Sequence, residues 1–154
     1  MDLLLIEDNP GDLVLAQEAF RASDMPVRLH VARDGLEALD FLCRKSPRPD
    51  LILMDLNLPK LHGRDLLNRI KTDENWKTIP TVVLSSSDAE DDVRYCYRQQ
   101  TTCYIKKPDQ WVAFTKVVKF VTDYWLLAVK LETNTSDYLS QIISADRFHF
   151  QSNE

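Results

Sequence analysis

Leu51-Ile52-Leu53-Met54-Asp55-Leu56-Asn57-Leu58-Pro59 runs four apolar residues into a carboxylate and then into a proline-bearing turn. An unbroken apolar run of strand length suits a strand buried on both faces of a parallel sheet. The acid that follows stands where such a strand delivers its carboxyl end. Outward from it, residues 3–6, 27–32, 81–84 and 103–105 repeat the apolar pattern, and longer segments of helical periodicity separate all five runs. Strand and helix alternating five times predict repeated βα units. The fold class is therefore α/β, a doubly wound five-stranded parallel sheet with helices on both faces.

The helical segments carry their own start signals. Asn9-Pro10 offers a capping side chain and then proline at the first helical position, which predicts a helix to about residue 23 with the apolar face Leu13, Ala16, Phe20. Asp34-Gly35 opens a second helix bearing Leu36, Leu39, Phe41 and Leu42, and the polar, proline-bearing loop 45–50 ends it. A third is expected over 63–72 and a fourth over 89–99, with Asp88, Glu90, Asp91 and Asp92 at its positive end. The fifth, 109–127, is unusually apolar. Trp111, Phe114, Val117, Val118, Val121 and Trp125 make one stripe, while Val112, Phe120, Tyr124 and Leu127 fall partly outside it. One core does not easily cover both faces, so the second set is covered either by a partner or by the C-terminal segment. The division expected is a domain over residues 1–131 and a tail over 132–154, either a short helix or disordered.

Length and charge bound the rest. A chain of 154 residues fits one domain. The 24 acidic and 19 basic residues are mixed along the chain for a net charge of −5, leaving no basic field for a phosphate backbone, so direct nucleic-acid binding is not expected. Cys43, Cys96 and Cys103 are odd in number and widely spaced, and no basic-then-apolar leader opens the chain. They read as reduced thiols of a cytoplasmic protein. The strongest apolar run, 125–131, is broken by Lys130 and is too short to span a bilayer.

In an open parallel sheet ligands bind beyond the carboxyl ends of the strands. Strand one ends in Glu7-Asp8, strand three in Asp55, strand four in Ser85-Ser86-Ser87 and strand five in Lys106-Lys107-Pro108. Three carboxylates, a hydroxyl and an ammonium are thus expected at one end of the sheet. Clustered carboxylates repel unless they share a cation, and an all-oxygen site suits Mg²⁺ or Mn²⁺. A lysine there can pair with a carboxylate at rest and with a phosphoryl oxygen after modification, while a serine hydroxyl can donate to another such oxygen. Each feature alone has a plainer reading: the acidic pair as a helix cap or turn, the acids of the fourth helix as a solvated cap. It is the joint placement of three chemical types at four strand ends that points to phosphoryl transfer.

On these residues the chain resembles the receiver domains of two-component response regulators over nearly all of 3–131. Glu7-Asp8-Asn9 resembles the family's acidic motif, Asp55 its phosphoacceptor, Ser85 its hydroxyl position and Lys107-Pro108 its lysine–proline signature. The resemblance implies a flavodoxin-like strand order of 2-1-3-4-5. It implies Mg²⁺ ligation by Asp8, Asp55 and the Asn57 backbone carbonyl, with Glu7 acting through metal-bound water. It further implies a cis Lys107–Pro108 bond and a switch aromatic at Tyr104, which strand propensity alone reads as an ordinary strand residue. The stretches 48–60, 90–93, 103–104 and 123–126 are similar to the small response regulators that partner bacterial phytochromes, especially cyanobacterial ones. The implied partners are a histidine kinase, a phytochrome, and a second copy joined through the face of the fourth helix, fifth strand and fifth helix. Ser85 departs from the threonine common in the family, and His62 is either pH-responsive or a plain exposed loop residue. The tail matches nothing.

Two other classes compete. A haloacid-dehalogenase-type phosphatase also places an aspartate after a parallel strand, but it needs a second acid two residues on, where Asn57 stands. A phosphorylation-independent binding module of the same fold is marked by loss of the acceptor, an acid or the lysine, and none is lost. The expectation is a phosphoacceptor signalling protein, not an enzyme. A DNA-binding module after the fifth helix has too little room and too little positive charge.

Overall fold

The computed structural model describes residues 1–22, 27–44 and 46–133, with side chains through Trp125. The chain divides into two units, Met1–Lys119 and Phe120–Glu154.

In chain order the elements are β1 (Asp2–Ile6), α1 (Pro10–Arg21), β2 (Arg28–Ala32), α2 (Gly35–Cys43), β3 (Leu51–Met54), α3 (Gly63–Thr72), β4 (Thr81–Ser85), α4 (Glu90–Arg98), β5 (Cys103–Lys106) and α5 (Trp111–Thr133). The strands form one parallel sheet in the order β2-β1-β3-β4-β5, the doubly wound flavodoxin-like arrangement. Because the order reverses between β1 and β3, the loops that follow these two strands open side by side. The three central strands hold the core: Leu3–Ile6, Leu51–Met54 and Thr81–Ser85 are buried throughout. The edge strands β2 and β5 are only partly covered.

Local chemistry sets the helix starts. The Asn9 side chain accepts from the Gly11 and Asp12 amides at 2.8 and 3.1 Å, and Pro10 takes the first helical position, as expected. Asp34 caps α2 by accepting from Leu36 and Glu37 at 2.9 and 2.8 Å. His62 caps α3, its Nδ1 accepting from the Arg64 amide at 3.3 Å, which gives this loop histidine a structural task. The start of α4 has no side-chain cap, and Glu90, Asp91 and Asp92 stand in its first turn against the positive end of the dipole. Gly63 is required by close approach: a Cβ there would lie 2.4 Å from the Leu56 Cα and carbonyl oxygen.

Two of the large apolar helix residues, Leu36 and Trp111, stand exposed. Leu36 is half exposed, because Ala38 and Leu42 turn the buried side of α2 inward and Leu36 lies about 200° round the helix from Ala38. Trp111, at the first residue of α5, is also exposed, while Phe114 and Val118 further along are buried. The fifth helix is longer than expected, running through Thr133. Val112, Phe120 and Tyr124 are exposed, as their place outside the stripe requires, and the Phe120 and Tyr124 rings stack at 6.4 Å. The side chain of Leu127 and the structure of residues 134–154, most of the expected tail, lie outside the described residues. All three cysteines are free thiols, with Cys96 buried and its thiol pushed up to about 11 by that burial. Among the described residues no helix is long and apolar enough to cross a membrane.

Candidate functional site

Parallel pairing brings the strand ends together. The Asp55 amide donates to the Ile6 carbonyl at 3.0 Å, and the Lys107 amide donates to the Ser85 carbonyl at 2.8 Å, so the first residues past β3 and β5 are each tied to the neighbouring strand. Glu7, Asp55, Ser85 and Lys107 are all buried.

The Lys107 ammonium is the hub. Its Nζ donates to Glu7 Oε2 at 2.5 Å, Asp55 Oδ2 at 2.7 Å and Asp12 Oδ2 at 2.8 Å. The carboxylates are oriented from the other side by backbone amides: Asn9 donates to Glu7 Oε1 and Asn57 to Asp55 Oδ1, both at 3.0 Å. Burial alone would weaken the hold of Lys107 on its proton. Hydrogen bonds to Asp12, Asp55 and Glu7 outweigh it and hold the amine above its ordinary range. For Glu7 the balance falls the other way: burial pushes the carboxyl up, and one ammonium divided among three acids reverses this only in part.

Three of the expected groups, Glu7, Asp55 and Lys107, are therefore joined directly, and Ser85 is joined to Lys107 through the backbone. Asp8 is exposed and lines a cleft with Pro10 and Arg33 rather than the lysine. Asn57 is exposed, and its amide nitrogen reaches Ser86 Oγ at 3.5 Å. Asp12 was not among the expected site residues. The signal for it lay in the Asn9 cap, which puts Asp12 in the first turn of α1 at the carboxyl end of β1. The expected cis bond at Lys107–Pro108 is corrected: the cis peptide among the described residues is Ser46–Pro47. The trans form is intrinsically favoured by about 0.5–1 kcal/mol for X–Pro bonds, and through it Lys107 already reaches all three acids.

Beyond Ser85 the chain is tied down at Ser87. The Tyr104 hydroxyl donates to the Ser87 carbonyl at 2.7 Å, which links Tyr104 to the loop after β4. Burial pushes the Tyr104 phenol up.

Among the described residues no three His, Cys, Asp or Glu side chains are grouped as a ready metal site, since the ammonium sits between the carboxylates. The donor set nevertheless fits a hard cation on charge and type. Three acids share one ammonium, and Asp8 with the Asn57 carbonyl adds oxygens at the same strand ends. Such oxygens suit Mg²⁺ or Mn²⁺.

An open parallel sheet carrying a buried aspartate, a lysine and a hydroxyl at its carboxyl end is the build of a phosphoacceptor signalling module. The chain belongs to the response regulator receiver domain family, whose model matches residues 3–119. It is 42% identical over 134 residues to the response regulator Rcp1 of Synechocystis sp., covering 84% of this chain and 91% of that protein. The Mn²⁺-bound crystal form of Rcp1 superposes with a TM-score of 0.78 at 42% identity, covering 81% of this chain and 94% of the other. The phosphorylated cyanobacterial phytochrome response regulator RcpA does so with a TM-score of 0.78 at 42% identity, covering 81% and 93%. The family takes its phosphoryl group on aspartate and binds a divalent metal.

Proposed function

We propose that this chain is a single-domain switch that accepts a phosphoryl group on Asp55 from a partner histidine kinase, a phytochrome, and signals through a change of surface. The observation that carries the reading is the buried Asp55 carboxylate held at 2.7 Å by Lys107 beside the end of β4. The likeness to RcpA supports the phytochrome partner. Free cysteines suit a reducing compartment, the cytoplasm.

An Asp55 oxygen attacks the phosphorus of a phosphohistidine in line, the new P–O bond forms as the P–N bond breaks, and the kinase histidine leaves with the electron pair. Asp8, Asp55 and the Asn57 carbonyl, with Glu7 through water, would hold Mg²⁺ or Mn²⁺, which would supply positive charge to the transferring group. Lys107 moves its ammonium from carboxylate to phosphoryl oxygen, and the Ser85 hydroxyl donates to another. The product adds charge near −2 and three acceptor oxygens. Drawing Ser85 and Lys107 toward them reshapes the ends of β4 and β5. A second copy is the other partner, through the face of α4, β5 and α5. Val112 in the first unit and Phe120 and Tyr124 in the second each offer exposed apolar surface to it.

The test is intact mass after incubation with Mg²⁺ and a small phosphodonor. Gain of one phosphoryl group, lost in Asp55→Asn and without Mg²⁺, is expected. An unmodified chain, under conditions that label a control receiver, would leave a binding module that works without phosphorylation.

A further inference from the structure

Ser87 is held from three sides. Its hydroxyl donates to Asp92 Oδ2 at 2.6 Å, its carbonyl accepts from Tyr104, and its amide makes a long 3.4 Å bond to Ser85 Oγ, the hydroxyl assigned above to the phosphoryl group. Asp92 is in turn gripped from α3. Arg64 Nε and Nη2 donate to Asp92 Oδ1 at 2.9 and 2.5 Å. The guanidinium lies 4.9 Å from the centre of the Tyr95 ring, and the Tyr95 hydroxyl donates to the Arg64 carbonyl at 3.0 Å. Two helices and the loop after β4 are thus stapled through one carboxylate. The Asp92 carboxyl is held below the usual aspartate range by the Ser87 hydroxyl and by Arg64. Bonds to an ionised partner are the stronger kind.

We propose that Arg64 and Asp92 are positioning residues for the phosphoryl-transfer site, acting through Ser87 as a latch that holds Ser85 in its resting place. The inference rests on the phosphoacceptor reading above. When Ser85 swings toward phosphorylated Asp55, the Ser87 amide two residues on must follow or let go, and its hydroxyl is anchored to Asp92. Part of the free energy released by phosphoryl capture is then used to open the Ser87–Asp92 bond. The same opening frees the first turn of α4 from α3, so the latch links chemistry at Asp55 to movement of α4. Neither Arg64 nor Asp92 touches the acidic cluster. Their effect reaches the reaction only through the loop.

The test uses the full chain in three single variants and one double. Ser87→Ala removes the hydroxyl that meets Asp92 and alters no charge. Arg64→Gln removes the guanidinium, and Arg64→Lys keeps the charge without the two-point grip. Initial phosphorylation rates with Mg²⁺ and a small phosphodonor are read by intact mass at a temperature where melting curves show every variant folded. Expected are rates raised about fivefold in Ser87→Ala and Arg64→Gln, the low end for coupling between sites in one network, with Arg64→Lys between them and wild type. Ser87→Ala/Arg64→Gln is expected to be no faster than either single variant, because both break one device. Variants that melt lower yet label at the wild-type rate overturn the latch and leave a merely structural bridge. Multiplying effects in the double variant overturn it too. Failure of wild type to label removes the phosphoacceptor reading and the latch together, whereas a labelled wild type with unchanged variants removes the latch alone.

Discussion

Lys107 and Glu7 face each other at 2.5 Å, yet their ionisation is shifted in ways that pull the fold in opposite senses. The Lys107 amine is held above its ordinary 10.5, so its contribution to stability is complete below that pH and is lost only in strong alkali. The Glu7 carboxyl is also raised, by burial, and for an acid this means the reverse at neutral pH: the contribution is present below 4.5 and lost as pH rises through the folded value. A site that keeps Glu7 charged is thus maintained against stability. Glu7→Gln, which copies the protonated form, is expected to raise the urea midpoint at pH 7 and to leave it unchanged near pH 4. An equal or lower midpoint at pH 7 would refute this. Lys107→Met leaves Glu7 and Asp55 buried without their cation, at a cost of about 3 kcal/mol, as when one partner of a buried pair is removed. Its deficit is expected to shrink as pH falls toward 4.5, because Glu7 then takes up its proton. A deficit independent of pH would show that lost packing, not uncompensated charge, is the cause. The sequence placed Glu7, Asp55, Ser85 and Lys107 at strand ends because a strand's last residue is readable from where its apolar run stops. Asp12 escaped it because a residue one turn into a helix is aimed by the helix's tilt, which no periodicity records.

At the scale of elements, the central strands were legible for a simple reason: both faces of β1, β3 and β4 are buried, so the apolar runs are unbroken. Helix surfaces were less so. Leu36 is apolar yet half exposed, because the buried side of α2 is set by Ala38 and Leu42. The start of α3 is decided by contact rather than propensity. Gly63 donates to the Leu56 carbonyl at 3.1 Å, and nothing larger than hydrogen fits beside the Leu56 backbone. Gly63→Ala is therefore expected to cost about 2 kcal/mol, within the range of overpacking in a full core, despite alanine's better helix propensity. Chemical denaturation of the variant checks it, and a stability equal to wild type would mean that the loop after β3 gives way freely. Since that loop carries Asn57, the same variant is expected to bind Mg²⁺ less tightly.

For the molecule as a whole, charge acts in two ways. Asp2, Asp34, Asp88 and Asp92 are each held below the ordinary 3.8, chiefly by hydrogen bonds with His30, Lys60, Lys106 and Ser87 in turn. Their contributions are present above 3.8 and disappear as pH falls through the lower folded values, so urea midpoints are expected to drop as pH falls below 3.8. Charge also governs association. Each copy carries −5, so two copies repel, while Phe120 and Tyr124 stand exposed with stacked rings and gain by leaving water. Salt screens the repulsion over about 10 Å at 0.1 M and leaves apolar contact intact. If the second copy docks on this surface, sedimentation equilibrium will show the mass rising from 17.9 kDa toward twice that value, more readily as salt is added. Phe120→Glu, which removes the ring and adds a charge, is expected to hold the chain at the mass of one copy at every salt concentration. A dimer that salt weakens would have to be held by ion pairs, and one that survives Phe120→Glu must use another face.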